Sequence, residues 1–162
     1  MFRVLTVGVF LGLAGGMAAA QGTQVAFGSV SQDSTLPVEV TADVLDVDQN
    51  DGTAVFTGNV LIGQGEMRLS APRVLVVYLA DQSGIDRLQA TGGVTLVSGE
   101  DAAEAQRADY NVQTGMIEMQ GDVLLVQGRS ALTAEAMTVD TRAGTARMTG
   151  RVKTVLQSES AD

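Results

Sequence analysis

The stretch Gly121–Val152 reads GDVLLVQGRSALTAEAMTVDTRAGTARMTGRV and contains one complete copy of the pattern that decides the fold. It opens on a Gly-x-Val element, continues through an alanine element at Ala134–Val139 (AEAMTV), and returns to Gly-x-Val at Gly150. The two Gly-x-Val elements are 29 residues apart. A fixed period of this length predicts a stack of similar supersecondary units.

Both elements recur upstream in the same order. The alanine element has the form Ala-x-x-apolar-x-(Val or Tyr), and its four copies start at Ala42, Ala71, Ala105 and Ala134. The four Gly-x-Val copies start at Gly58, Gly92, Gly121 and Gly150. A single five-residue insertion around Leu79–Gly84 (LADQSG) accounts for the one irregular step in each series. The chain therefore contains four units of about 29 residues.

The residue pattern inside each unit is typical of β-strands. Apolar residues alternate with polar ones, as in Val94-Thr95-Leu96, which is typical of a strand with one buried face. Turn residues such as Asn50-Asp51-Gly52 separate the strands. The regularly placed glycines of Gly-x-Val predict a corner at which a strand bends. We therefore expect an all-β chain, open and stacked, with an apolar interior and a polar exterior.

Composition excludes several functional classes. The chain has 10 basic and 19 acidic residues, a net charge of −9, and this balance argues against binding nucleic acid. It has no cysteine and no histidine, so disulfides, thiolate metal sites and most general-base machinery are excluded. No catalytic motif is present, and we predict no catalytic residue, no metal ligand, no cofactor and no enzymatic activity.

Asp46-x-Asp48-x-Asn50-Asp51-Gly52 superficially resembles a calcium loop. An EF-hand loop requires Gly at its sixth position and Glu at its twelfth, where this chain has Asp51 and Thr57. The aspartates also alternate with Leu45 and Val47, as outward residues of a strand would. The stretch is therefore predicted to be a strand followed by a turn.

The N-terminus has the layout of a cleavable secretory signal. Arg3 precedes an apolar run from Val4 to about Ala14, and small residues lead up to Ala20. We expect residues 1–20 to be removed, which takes away one basic charge and makes the net charge −10 instead of −9. The remaining chain is divided into a flexible segment 21–35, a β-domain 36–157 and a disordered acidic tail 158–162. Export implies a periplasmic protein.

The segment Leu36–Leu69 resembles the opening of the LptA/OstA family. The matching elements are PVEVTAD at Pro37–Asp43, FTGNV at Phe56–Val60 and Gln64-Gly65, in that order. The resemblance continues through the later repeats to about Leu156. It implies a stacked, V-shaped antiparallel β-jellyroll (OstA-like) that carries lipopolysaccharide through the periplasm.

The resemblance also implies a site and partners. Acyl chains of lipid A would lie in the apolar interior, in contact with Val38, Val40, Leu45, Val47, Phe56, Val60, Val94, Leu96, Met119, Val123, Leu125, Met148 and Val152. Similar jellyrolls of an inner-membrane LptC-like protein and an outer-membrane LptD-like protein would pair with the edge strands. Copies of this chain can join head-to-tail in the same way.

Two alternatives stay open at the level of sequence. A self-assembling β-solenoid with a filled core and no ligand shows the same periodicity. A membrane-anchored LptC-like jellyroll would keep its N-terminal segment. Alternation establishes an apolar interior but does not distinguish an open groove from a packed core.

Overall fold

We describe residues 22–28 and 35–157 in a computed structural model of the chain. These residues form one antiparallel sheet of eleven strands and contain no helix. The strands are β1 (Thr23–Ala26), β2 (Glu39–Thr41), β3 (Val44–Asp48), β4 (Thr53–Gln64), β5 (Met67–Tyr78), β6 (Ile85–Ser98), β7 (Asp101–Asn111), β8 (Met116–Gln127), β9 (Ser130–Asp140), β10 (Thr145–Thr149) and β11 (Lys153–Leu156). The expected signal segment 1–20 and tail 158–162 lie outside the described residues.

Consecutive strands from β4 to β10 are neighbours, joined mostly by short turns. At one end of this run, β2 and β3 both pair with β4; at the other, β11 pairs with β9 and β1 pairs with β10. Strand β1 lies within the segment 21–35, which the sequence led us to expect to be flexible. The first of the described strands thus pairs with one of the last, and the sheet does not close into a barrel.

The long strands bend sharply in the middle, where the pairing register shifts. The shifts occur between Thr57 and Val60 in β4, and at equivalent places in β6 and β8. The bends coincide with pairs of residues that have positive φ, namely Gly58-Asn59, Gly92-Gly93, Gly121-Asp122 and Gly150-Arg151. The corner predicted from the Gly-x-Val element is therefore confirmed.

The corners divide the sheet into two walls. The first wall comprises β1, β3 and β10 with residues 53–57, 73–78, 85–91, 107–111, 116–120 and 136–140. The second wall comprises β2 and β11 with residues 60–64, 67–70, 94–98, 101–105, 123–127 and 130–134. The walls meet at the corners, and the hairpin turns at their far ends form what we call the mouth of the V.

The two markers of the repeat meet each other at the apex. Ala71, Ala105 and Ala134 pair with the valines of the preceding Gly-x-Val elements, Val60, Val94 and Val123. All six side chains are buried. The alanine and valine that recur in the sequence thus pack against each other where the two walls meet.

Pro72 lies inside β5, a position that proline rarely takes in a strand. It sits between Ser70 and Arg73, where the ladder shifts register, and a position of this kind does not require a backbone N–H donor. Strands β4 to β9 each pass through the corner without a break.

Two other local predictions can be compared directly with the structure. Asp48 Oδ1 accepts hydrogen bonds from the backbone N–H groups of Asn50 (2.9 Å) and Asp51 (3.2 Å), so the predicted turn is confirmed. The insertion forms the loop between β5 and β6, in which Leu79 N donates to Gly84 O at 2.9 Å.

Candidate functional site

The inner faces of the two walls form the candidate site. Cross-strand partners share a face of the sheet, so the register shows which side chains lie in one row. On the first wall one inner row runs through Leu45, Phe56, Val74, Ala90, Ala108, Met119, Met137 and Met148. On the second wall a facing row runs through Val40, Ile62, Leu69, Leu96, Ala103, Leu125 and Leu132. Both rows are apolar across seven or more neighbouring strands.

The interior between the walls is filled by side chains. Leu96, Met119, Leu125 and Met148 are each 0% exposed. Side chains at interior positions such as these make dense contacts on all sides, as in an ordinary protein core. The question left open by the sequence is thus answered for the described residues, in which the two walls pack directly against each other.

The thirteen residues assigned to the groove fall into three groups. Seven are buried in the core: Val60, Val94, Leu96, Met119, Val123, Leu125 and Met148. Four are partly buried against it: Val38, Val40, Phe56 and Val152. Leu45 and Val47 are 52% and 59% exposed.

The exposure of Leu45 and Val47 follows from their place at the edge. Leu45 pairs with Phe56 and Val47 pairs with Ala54, so both point to the inner face. Among the described residues, strand β3 has no further neighbour and nothing covers its inner face. The apolar interior is therefore open to solvent at this end of the stack.

Several other interior residues were not predicted to line the groove. Ile62, Leu69, Val74, Val76, Leu88, Ile117, Leu132, Met137 and Val139 are all buried. Many of them lie in the same period-two patterns, so alternation alone would have identified them. Phe27, which is 4% exposed, carried no such signal because it lies outside the repeats.

The mouth of the V is polar where the interior is apolar. The buried polar residues of the described chain are Gln64, Ser98 and Thr141, at strand ends near the mouth. The Tyr110 hydroxyl in the first wall donates a hydrogen bond to Gln64 Oε1 in the second wall. Gln64 Nε2 donates to Leu36 O at 2.8 Å. This Tyr110–Gln64 bond joins the two walls at the mouth.

Burial raises the pKa of the Tyr110 phenol, and hydrogen bonding to Thr141 opposes that rise only in part. An acid whose pKa is raised on folding stabilises the fold below its unfolded pKa, which for tyrosine is about 10. We therefore expect the free energy of unfolding to fall as pH rises above about 10. Denaturant titrations at several pH values, from neutral to above about 10, measure the slope of the free energy of unfolding against pH. Tyr110→Phe should flatten it, with Tyr78→Phe as the matched control; an unchanged slope in Tyr110→Phe would contradict this assignment.

Metal-binding clusters and membrane-spanning helices are two further features that could indicate a site in the described residues. No three acidic side chains there cluster in a way that could hold a metal ion. In the same residues, no helix is long and apolar enough to cross a membrane.

The family model for the LptA/(LptD N-terminal domain) LPS transport protein matches residues 39–145, which is more than half of the chain. The chain belongs to this family. The match starts at β2 and ends at the first residue of β10, so it spans both walls. The fold is accordingly the LptA-like β-jellyroll, as predicted.

Two individual proteins are similar to this member of the family. An uncharacterized protein of Rhizobium meliloti (strain 1021) is 26% identical over 132 residues, covering 75% of this chain and 71% of its own length. The crystal structure of LptH from Pseudomonas aeruginosa, described as the LptA-homologous periplasmic component of the lipopolysaccharide transport device, superposes with a TM-score of 0.69. That structure shares 19% identity, and the match covers 78% of this chain and 99% of LptH. At 19% identity, the similarity to LptH shows a shared fold alone.

Proposed function

We propose that this chain is a periplasmic lipopolysaccharide-binding transport protein that holds lipid A acyl chains between its two walls. Family membership supports the general role. The observation that carries the specific proposal is the pair of facing apolar rows, together with the exposed apolar edge at Leu45, where the first row ends, and at Val47 on the same strand. An interior that continues to the edge in this way suits a guest longer than the molecule's own core.

Acyl chains would have to part the walls, because the interior is filled. Each methylene group moved from water into the interior contributes about 0.8 kcal/mol, so several acyl chains supply a large driving force. Met119, Met137 and Met148 lie side by side in the inner row of the first wall. Unbranched methionine side chains adapt to irregular guests, so this part of the wall suits repacking around lipid.

The net charge of −9 also supports a mode of binding in which the protein holds the acyl chains and not the phosphates of the lipid. Negative charge on the protein opposes contact with the phosphates of lipid A. Affinity would therefore come from the acyl chains, while the sugars project into water.

A photo-crosslinking amino acid placed on the inner face tests the proposal. At Phe56 or Val123 it should capture lipopolysaccharide in the periplasm. Asn59 is the outward control, because its side chain lies at an exposed corner and donates to Asp43 Oδ2 at 2.9 Å. Capture at Asn59 and not at the two interior positions would refute an interior groove.

Both ends of the stack offer edge strands to a partner. At one end β3 and β2 are the outer strands of the first and second walls; at the other end β1 and β11 hold the same places. Exposed edges of this kind are templates for strand addition. We propose that inner-membrane LptC-like and outer-membrane LptD-like jellyrolls, or further copies of this chain, pair with them head-to-tail.

Leu45→Asp should weaken this head-to-tail association at least about tenfold, because it would bury a carboxylate against the apolar side chains of the partner. The free-energy cost of that burial exceeds the roughly 1.4 kcal/mol that corresponds to a tenfold loss of affinity. Sedimentation velocity of the purified protein over a range of concentrations measures the effect. Asp46→Asn, on the outer face of the same strand, is the matched control. Equal association of Leu45→Asp and the parent chain would exclude this edge from the interface.

The packed interior supports a second candidate, a self-assembling β-solenoid that has no ligand. Delipidated protein that binds no apolar fluorescent probe would favour it. The periplasmic location is tested separately by the intact mass of the exported protein. A chain starting near Gln21 fits a released periplasmic protein, whereas an uncleaved chain fits the anchored LptC-like alternative.

A further inference from the structure

Three residues cross the mouth of the V from one wall to the other. Strand β1 belongs to the first wall, and the N–H of the next residue, Phe27, donates to Gly144 O at 3.0 Å, still in that wall. One residue later, the N–H of Gly28 donates to Asp101 Oδ2 at 2.7 Å. Asp101 begins β7 in the second wall. We call residues Ala26–Gly28 the strap.

The second wall holds the strap at another point. Gln127, the last residue of β8, donates from Nε2 to Ala26 O at 2.5 Å and to Asp101 Oδ2 at 3.1 Å. Asp101 and Gln127 thus bind each other and the strap. Both side chains are only partly buried, so water can compete for these hydrogen bonds.

The ring of Phe27 extends the apolar core under the strap. It is 4% exposed and belongs to the same cluster as the interior rows, although it lies outside every repeat and every strand. The ring therefore occupies apolar space between the walls that a hydrocarbon guest would otherwise fill.

We infer that the strap is a displaceable closure of the groove, with Phe27 standing in for an acyl chain until lipid replaces it. This inference rests on the proposed function. Displacement would exchange the buried Phe27 ring for a buried acyl chain, so the apolar surface removed from water is conserved. The free-energy cost of displacement therefore lies mainly in breaking the polar contacts to Asp101 and Gln127. A short edge strand at the end of a sheet, such as β1, is also among the easiest parts of a fold to open.

A tryptophan reporter follows the strap directly, because the chain contains no tryptophan of its own. In the full-length exported protein carrying Phe27→Trp, emission should be blue-shifted and shielded from acrylamide before lipid is added. Purified lipid A should shift it to the red and expose it to the quencher. Tyr78→Trp, at the end of β5 and outside the residues assigned to the groove, is the matched control, and its emission should stay unchanged when lipid binds. Lipid A capture with unchanged emission from Phe27→Trp would overturn the inference and leave the proposed function standing.

A second comparison measures closure without relying on lipopolysaccharide. Asp101→Ala removes the acceptor that holds Gly28, whereas Glu100→Ala removes a neighbouring carboxylate from the same turn. Loss of about one net hydrogen bond should speed uptake of the apolar probe N-phenyl-1-naphthylamine about fivefold in Asp101→Ala. Equal rates of probe uptake in the two variants would overturn the inference that the strap closes the groove. Faster probe uptake in Asp101→Ala together with no lipid A binding would support the strap and count against the proposed function.

Discussion

The Gly121→Val variant is expected to lose several kcal/mol of unfolding free energy, a large share of the roughly 5–15 kcal/mol that keeps a domain folded. Gly121 has a φ of 86°, a conformation that β-branched residues very rarely adopt. Strain of this kind costs on the order of 1–3 kcal/mol. It would fall at the apex of the V, where β8 passes from one wall to the other.

Steric overlap adds to the strain. A Cβ at Gly121 would lie 2.6 Å from Gln106 Oε1 and 2.9 Å from Gln106 Cβ. Rotation of the Gln106 side chain can relieve the contact with Oε1, at the loss of its hydrogen bond to Asp122 Oδ2, but it cannot move Cβ, which is attached to the backbone of β7. Overpacking costs a further ~1–3 kcal/mol in most sites.

Urea titration followed by far-UV circular dichroism measures the loss. Gly128→Asn is the matched control, since Gly128 also has positive φ (56°) but a Cβ there would meet nothing within 4 Å. Asparagine tolerates this conformation better than most residues do. A Gly121→Val variant as stable as Gly128→Asn would show that the corner does not need glycine.

The repeat is the part of the fold that sequence predicts best, and the reason is steric. Every unit must turn the same corner, so Gly121 and its equivalents recur at a fixed step, as do the alanines opposite them. Alternation likewise predicts which face each strand buries, because side chains in a strand point to opposite faces in turn. Val94 and Leu96 were expected on this basis to share the buried face of their strand, and both are buried.

The alternation of apolar and polar residues does not show which strands are neighbours in the sheet. The exposure of Leu45 and Val47 and the burial of Phe27 depend on that pairing. Leu45 and Val47 point inward as expected, but they are exposed because no other strand of the described residues lies beside β3. Phe27 reaches the core only because β1 pairs with β10, more than a hundred residues later in the chain. A pairing between such distant segments, outside the repeat, leaves no periodic signal. The lipid-binding role of the interior residues stays a prediction.

Replacing Met119, Met137 and Met148 together by alanine is expected to unfold the protein. The exposed fractions of the three side chains are 0%, 1% and 0%, and the residues are adjacent in the inner row of the first wall. Truncating one buried methionine to alanine costs about 2–5 kcal/mol, so three such cavities rival the whole stability of a domain, even if neighbouring effects are not additive.

The same three positions changed to leucine separate stability from function. Leucine conserves volume, and swaps of this kind usually cost less than about 1.5 kcal/mol each, so the triple variant should still fold. Leucine is branched and has fewer rotatable bonds, however, and a wall built from it repacks less readily around a guest. If acyl chains enter by parting the walls, lipopolysaccharide capture by a crosslinker at Phe56 should fall several-fold in the leucine variant.

Met116→Leu is the matched control for that comparison, because Met116 pairs with Asn111 on the outer face of the first wall. It makes the same chemical change without touching the interior, so capture should stay at the level of the parent chain. Should the triple leucine variant capture lipopolysaccharide as well as Met116→Leu does, the adaptability of methionine would have no part in lipid binding. Should it fold normally and capture far less, the inner row would serve two purposes: it packs the core when no lipid is bound, and it yields to lipid when lipid arrives.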